Sequence, residues 1–516
     1  MNTLIFATAH GFGEGVEKLG VIAVALLAAV VVLGRPPRVS ERRRALAMLA
    51  VLVLTPALLL ADIWHTSQLT HLRHHPAEAG AAVVLGVIVV FALAVLIRGE
   101  PRAFPLLAIF ALPFRLPIAA GGSTSNLLIP LYLVVGAGAL ACLIPRLRND
   151  FERTERTGPV LLEWLLLAAV MLYALQAAYS ADFSKALENM VFFYIPFALL
   201  FALLREVEWT RELLLRCLGL LVAIAIVLAG VGFVEYYRKS LFLNPKLVAA
   251  NDYDNYFRVN SLFFDPNIYG RFLALVMIAV TAGVLWSARR RAVLLGGAVL
   301  LWLLAGLVTS FSQSSIAALL LGLAVLAAYR WDVRATIYVT AALAAIALVV
   351  ALAAPPSLHL GLSGKGSSAS NATSGRTKLI EGGVRLFAHR PLQGYGPGSF
   401  AQEYRTHEHV TSTSATSASH TIPVTVAAEQ GIVGLALYVA LLVSAFAVLF
   451  RGAARAPPRI ALAACWTALV LHTFTYADFL EDPETWVLLG IGTALAYAAG
   501  RPEPREAPLR ASSRRR

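Results

Sequence analysis

Charge is scarce in this chain. Only 14% of its 516 residues are Asp, Glu, Lys or Arg, against roughly a quarter in a soluble domain. With 58% hydrophobic residues and a mean hydropathy of +0.71, a soluble globular fold is excluded. Cysteine is scarcer still. Cys142, Cys217 and Cys465 each fall inside an apolar run without ligand spacing, so they read as small packed hydrophobes. The first fifteen residues have no basic n-region and no early apolar core, so the first apolar run reads as a retained signal-anchor. The chain has no Gly-Lys-Ser/Thr, which excludes a Walker loop. Its apolar runs also lack the period-2 alternation of a transmembrane barrel.

Long runs of Leu, Val and Ala are what the chain does have. Segments such as 19–34, 45–61 and 213–234 are long enough to cross roughly 30 Å of hydrocarbon as helices. Helices satisfy their own backbone groups there. The pattern predicts an all-α polytopic membrane protein with about fifteen spans. The formal charge is 43 − 30 = +13, and topology explains it. With the N-terminus outside, every second loop is cytoplasmic, and those short loops with the tail hold about 27 of the 43 Lys and Arg. All eleven histidines fall in, or at the end of, segments placed outside. The basic balance is therefore membrane topology and not nucleic-acid binding; the C-terminal tail is predicted cytoplasmic.

The spans are joined mostly by short connectors, so residues 105–500 read as one membrane domain. Residues 1–104 read as additional N-terminal helices, and 501–516 as a basic tail. Three outside segments are longer: 64–79, 236–269 and 355–421. The third is Ser/Gly/Thr-rich at 361–375 and 411–419. Between these flanks, Leu379, Gly383, Leu386 and Phe387 at 3–4 spacing predict a helix from Arg376 that ends near Pro391. A long loop that holds a helix between flexible flanks is more often functional than passive.

Chemistry-bearing residues gather in these outside segments. A guanidinium stays charged and forks two donors, which suits phosphate oxygens. Arg258 precedes the turn Asp265-Pro266-Asn267, where its plainer role is a contact with lipid headgroups. Arg376 opens the loop helix, where the positive helix end disfavours a cation unless an anion lies nearby. The run Gly394-Tyr395-Gly396-Pro397-Gly398 is either a tight turn or a set of amides for an anion. His420 precedes a span and can accept a proton near neutral pH, or act as an interfacial anchor. Arg115 lies in an apolar stretch, as a snorkelling side chain or a further phosphate contact. His65, His71, His74 and His75 read as a solvated loop. Asp478, Glu481, Asp482 and Glu484, in the last outside loop, read as exposed unless they line the site. Asn371-Ala372-Thr373 is a glycosylation sequon by pattern only.

Phe264-Asp265-Pro266-Asn267, then Pro391 to Phe400, then His420 with Glu429-Gln430-Gly431-Ile432-Val433-Gly434 occur in that order. Together they resemble the O-antigen ligase and Wzy-type polymerase family of bacterial membrane glycosyltransferases, over roughly residues 105–495. The resemblance implies a GT-C-like helical architecture in the bacterial plasma membrane with its active site on the periplasmic or extracellular face. It also implies a donor glycan on undecaprenyl pyrophosphate, a lipid or glycan acceptor, and no metal or cofactor. Arg258 and Arg376 match arginines that hold the pyrophosphate, and His420 matches the histidine that activates the acceptor hydroxyl. Asn267, Gly394, Gly396, Gly398 and Arg115 are the expected substrate-binding residues. Two positions depart from the family: Thr421 stands where Asn is common after the histidine, and Ser312-Gln313-Ser314-Ser315 replaces Ser-Arg-Gly. A ligase and a polymerase share these motifs. A flippase or transporter would need charges deep in several spans, and few are evident, with Glu163 and Arg216 near span ends.

Overall fold

A computed structural model describes residues 2–34, 39–63, 74–120, 123–148, 160–242, 257–334, 336–338, 376–410, 419–476 and 478–499. Helices α1 (Asn2–Leu33), α2 (Glu41–Ile63) and α3 (Pro76–Gly99) come first. A nine-residue helix α4 (Ala103–Ala111) and an antiparallel hairpin, β1 (Leu116–Ala120) with β2 (Ser123–Leu127), lead to α5 (Ile129–Leu147). Then come α6 (Leu161–Ala177), α7 (Phe183–Asn189), a π-helical turn (Met190–Tyr194), α8 (Ile195–Glu206) and α9 (Arg211–Arg238). Next follow α10 (Pro266–Leu285), α11 (Arg290–Thr309) and α12 (Gln313–Arg330). The loop helices are α13 (Arg376–His389) and α14 (Phe400–Glu408). The chain closes with α15 (Ile422–Phe450), α16 (Pro457–Thr473) and α17 (Pro483–Ala499).

The protein is a multi-pass helical membrane protein. Ten helices among the described residues are long and apolar enough to cross a membrane, fewer than the fifteen expected. The difference has local causes. The fourth apolar run ends after nine residues in α4 and turns into the hairpin, the one exception to an all-α fold among the described residues. Helices α6, α16 and α17 have 17 residues each, about 25 Å long. The run at 335–354 lies largely outside the described residues. Exposed apolar side chains, such as Val83, Val87 and Phe91 on α3 and Leu294 and Leu301 on α11, are those a lipid-facing surface requires.

Two large apolar cores share two helices, α9 and α16, and a small third cluster packs α13 and α14 against Ala428. The larger gathers α1 to α8 and the start of α9 with α15 and α17; the smaller gathers the rest of α9 and α10 to α12 with residues 259–263. α16 belongs to both: Ala463, Trp466 and Leu469 face the first, and Ile460, Ala464 and Ala468 the second. Spacings of three and four residues put these sets on two stripes of the helix. Its C-terminal end thus lies where the two packs meet, and there the polar residues collect.

Buried ion pairs clamp the opposite end. Arg44 and Arg146 both pair with Glu206, and Arg146 Nε lies 3.1 Å from Glu41 Oε2. Arg205 pairs with the fully buried Glu163, which also accepts from Tyr497 Oη at 3.2 Å. These charges stand near helix ends in pairs, the usual condition for charge at the edge of hydrocarbon.

Candidate active site

The start of α10 is built by its own sequence. Asp265 caps the helix by accepting the Asn267 amide at 2.6 Å, and Pro266 occupies the first turn. Ser312 caps α12, accepting the Ser315 amide at 3.3 Å. These two helix starts meet side by side. Gly270 allows the approach, since a Cβ there would stand 2.8 Å from Ser315 Oγ.

Asn267 is the junction. Its Oδ1 accepts from Ser312 Oγ at 2.9 Å and from Arg258 Nη2 at 3.4 Å. Arg258 Nε also donates to the Ser310 carbonyl at 3.2 Å. The loop carrying Arg258 is held by Glu235 at the end of α9, whose carboxylate accepts the amides of Asn260 and Ser261 at 3.3 and 2.7 Å. Ser314 and Ser315 Oγ each lie 3.3 Å from Nε2 of the fully buried His472, in the last turn of α16. The His472 ring faces Tyr476 at 5.6 Å, and Tyr476 faces His420 at 6.1 Å, centroid to centroid. Tyr476 also hydrogen-bonds Asp265. A continuous run of side chains thus joins Arg258 to His420.

His420 occupies the left-handed region at φ 55°, which a residue with a Cβ holds only when its surroundings enforce it. The Ser419 hydroxyl donates to the Thr421 carbonyl at 2.7 Å and accepts the Thr421 amide at 3.2 Å. Thr421 Oγ1 in turn donates to the Phe474 carbonyl at 3.2 Å. The residue that departs from the family after the histidine therefore ties the His420 turn to the Tyr476 loop.

The glycine run works as a clasp. Gly394, Gly396 and Gly398 have φ of 65°, 94° and 77°. Their amides are used within the chain: Gly394 N donates to the Arg390 carbonyl at 3.0 Å, and Gly396 N to the Glu429 carbonyl at 2.8 Å. The amides of Gly398 and Phe400 reach the Glu429 carboxylate, the latter at 3.0 Å. The Glu429 carboxyl group of the same chain thus lies in this turn, against the amides of Gly398 and Phe400. On the other side of the clasp, α15 breaks at Gly431 (φ 66°), whose neighbour Ile432 donates to the Pro391 carbonyl at 2.8 Å.

The last loop is largely withdrawn from water, contrary to the exposure expected of its acids. Arg271 is enclosed between Asp482 Oδ2 at 2.7 Å and Glu484 Oε2 at 3.1 Å, so its charge is answered inside the fold. Arg115, half-buried, interacts electrostatically with the same two carboxylates and so stands at this site. Burial raises Asp482 above the usual carboxylate range despite Arg271. Glu481 accepts from Asn189 Nδ2 at 3.0 Å, and burial with Asp478 nearby pushes its carboxyl up to about 8.

Arg258, Asn267, Arg115 and His420 are therefore gathered at one end of the bundle. The side chain of Arg376 lies outside the described residues, although α13 starts at that residue as expected. His65 and His71 also lie outside them; His74 and His75 are exposed. Asp252 and Asp254, an Asp-x-Asp pair in the loop before Arg258, also lie outside the described residues. That spacing suits a metal, so metal independence rests on the resemblance and not on the loop's composition. Sequence reading missed His472 and Tyr476, and named Ser312, Ser314 and Ser315 only as a departure from Ser-Arg-Gly. His472 had one signal, a histidine at the end of an apolar run.

No curated protein matches the chain. A family model described as O-antigen ligase matches residues 298–439, which run from α11 to the middle of α15 and take in Arg376, the glycine clasp and His420. Residues 298–439 are thus similar to the O-antigen ligase family, in agreement with the resemblance of the chain's motifs.

Proposed function

We propose that this protein transfers a glycan from an undecaprenyl-pyrophosphate carrier to an acceptor hydroxyl on the non-cytoplasmic face, as an O-antigen ligase. The observation that carries this reading is the run of side chains from Arg258 through Asn267, Ser312, Ser315, His472 and Tyr476 to His420. It gives one helix-end site a fixed guanidinium and an imidazole, the two groups that a displacement at a diphosphate-linked sugar requires.

In the proposed step the acceptor oxygen attacks the anomeric carbon while His420 takes its proton. The bond from that carbon to the diphosphate oxygen breaks, and its electron pair leaves with the diphosphate. Arg258, held by Ser310 and Asn267, stabilises the negative charge that develops there, with Arg115 nearby. Arg376, which opens α13, is the other arginine that the resemblance assigns to the diphosphate. Fixed donors of this kind act without the reorganisation that water would need. A single displacement inverts the anomeric centre. Asn267 serves this reading as the residue that orients Arg258, and the clasp at Gly394, Gly396 and Gly398 as the element that fixes α13 and α14 beside the site.

The test is purified protein in liposomes with a lipid-diphosphate-linked oligosaccharide, in chelator and without ATP. Release of undecaprenyl pyrophosphate is expected, and His420→Ala should abolish it while the variant still inserts and elutes as a folded species. Transfer to a separate acceptor identifies the ligase, and chain extension of the donor a polymerase. Translocation without bond cleavage, or wild-type turnover by His420→Ala, overturns the assignment.

A further inference from the structure

Tyr476 stands between the two histidines of the site. Its ring lies 6.1 Å from that of His420 and 5.6 Å from that of His472. Its hydroxyl bonds Asp265, the residue that caps α10 two positions before Asn267. The loop that carries Tyr476 is anchored to the His420 turn through Thr421 Oγ1 and the Phe474 carbonyl, 3.2 Å apart. The phenol thus touches the cap of the helix that orients Arg258, while its ring packs against the proposed base.

We propose that Tyr476 is a positioning residue for the transfer, whose phenol engages Asp265 and whose ring sets the orientation and basicity of His420. This inference rests on His420 as the base of the proposed reaction. The groups around Tyr476 come from every neighbouring element: Asp265 and Arg271 from α10, His472 from α16, Asp478 from its own loop, and His420 from the segment before α15. Burial, Asp265 and Asp478 hold the phenol well above its ordinary range, so Tyr476 remains a neutral donor to Asp265. A carboxylate that keeps this donor presents less bare charge to a nearby imidazole. Removing the hydroxyl leaves Asp265 more negative in effect and favours the imidazolium.

Tyr476→Phe keeps the ring and removes only the hydroxyl. In the liposome assay kcat should fall about tenfold with the donor KM little changed, and the ascending limb of the pH profile should move up by about half a unit. A purely structural role would change protein yield or KM and leave that limb where it was. The second readout needs no turnover. Neutral imidazole reacts with diethyl pyrocarbonate, so the pH dependence of carbethoxylation at His420, followed by peptide mass spectrometry, reports its basicity directly. The same upward displacement is expected in Tyr476→Phe. An unchanged His420 titration overturns the proposal, whereas a wild-type protein that releases no undecaprenyl pyrophosphate overturns the proposed reaction instead.

Discussion

Asn267 shows how one amide can organise a site. Its oxygen accepts both the Ser312 hydroxyl and the Arg258 guanidinium, while its own amide is the cap acceptor's partner at Asp265. Arg258 makes two directed bonds, to Ser310 and Asn267, that an ammonium on a flexible stem does not reproduce. Arg258→Lys should therefore lower kcat/KM for the lipid-diphosphate donor by about tenfold or more in spite of the retained charge, as steady-state kinetics would show. Glu481 offers a pH prediction. Its folded carboxyl titrates near 8, above its ordinary value, so the unfolded chain ionises first as pH rises. The folded state is then progressively disfavoured from about pH 4 to pH 8. Glu481→Gln removes this loss: thermal midpoints in detergent should match wild type near pH 4 and exceed it at pH 8. At this scale the sequence singled out Arg258, Asn267 and His420, where chemistry and motif coincide, and the structure puts them on one run of side chains. The sequence was silent at Tyr476 and gave Ser315 no role, since both matter only when the starts of α10 and α12 come against the end of α16.

The clasp and the broken helix belong to the scale of elements. Gly394 and Gly431 interlock: a Cβ on Gly394 would stand 2.3 Å from the Glu429 carbonyl oxygen, and one on Gly431 2.3 Å from the Leu392 carbonyl oxygen. Both have positive φ, so Gly431→Ala combines about 1–2 kcal/mol of backbone strain with a collision against main chain. We expect a lowered thermal midpoint and weakened transfer with little change in membrane insertion, measured by scanning fluorimetry and the liposome assay. The 3–4 spacing of apolar residues made α13 legible, and Leu379 and Leu386 are indeed buried. The glycine run was legible as a turn but not in its partner, because the acid that occupies its amides lies some thirty residues away and becomes a neighbour only through the break in α15. Fewer helices among the described residues are long enough to span than the apolar runs led us to expect, because hydropathy registers apolar runs and not helix length, as α4 and its hairpin illustrate.

Across the whole molecule, charge is distributed between two ends with different functions. At one end Arg44, Arg146 and Arg205 are locked to Glu206 and Glu163 and hold helices together. At the other, Arg271 and Arg115 share their space with Asp482 and Glu484, and Arg271 also with Asp478. The arginines of this second end thus come with carboxylates already close to them. A diphosphate that enters must compete with those acids for the same cations, and burial already disposes Asp482 to protonation. Ligand capture there should consequently be coupled to hydrogen-ion uptake: titration calorimetry in two buffers of different ionisation enthalpy would give different apparent heats, and affinity for the pyrophosphate-bearing lipid would strengthen as the medium is acidified. An enzyme wired in this way would sense the acidity of the compartment that its substrate faces through occupancy as well as through catalysis.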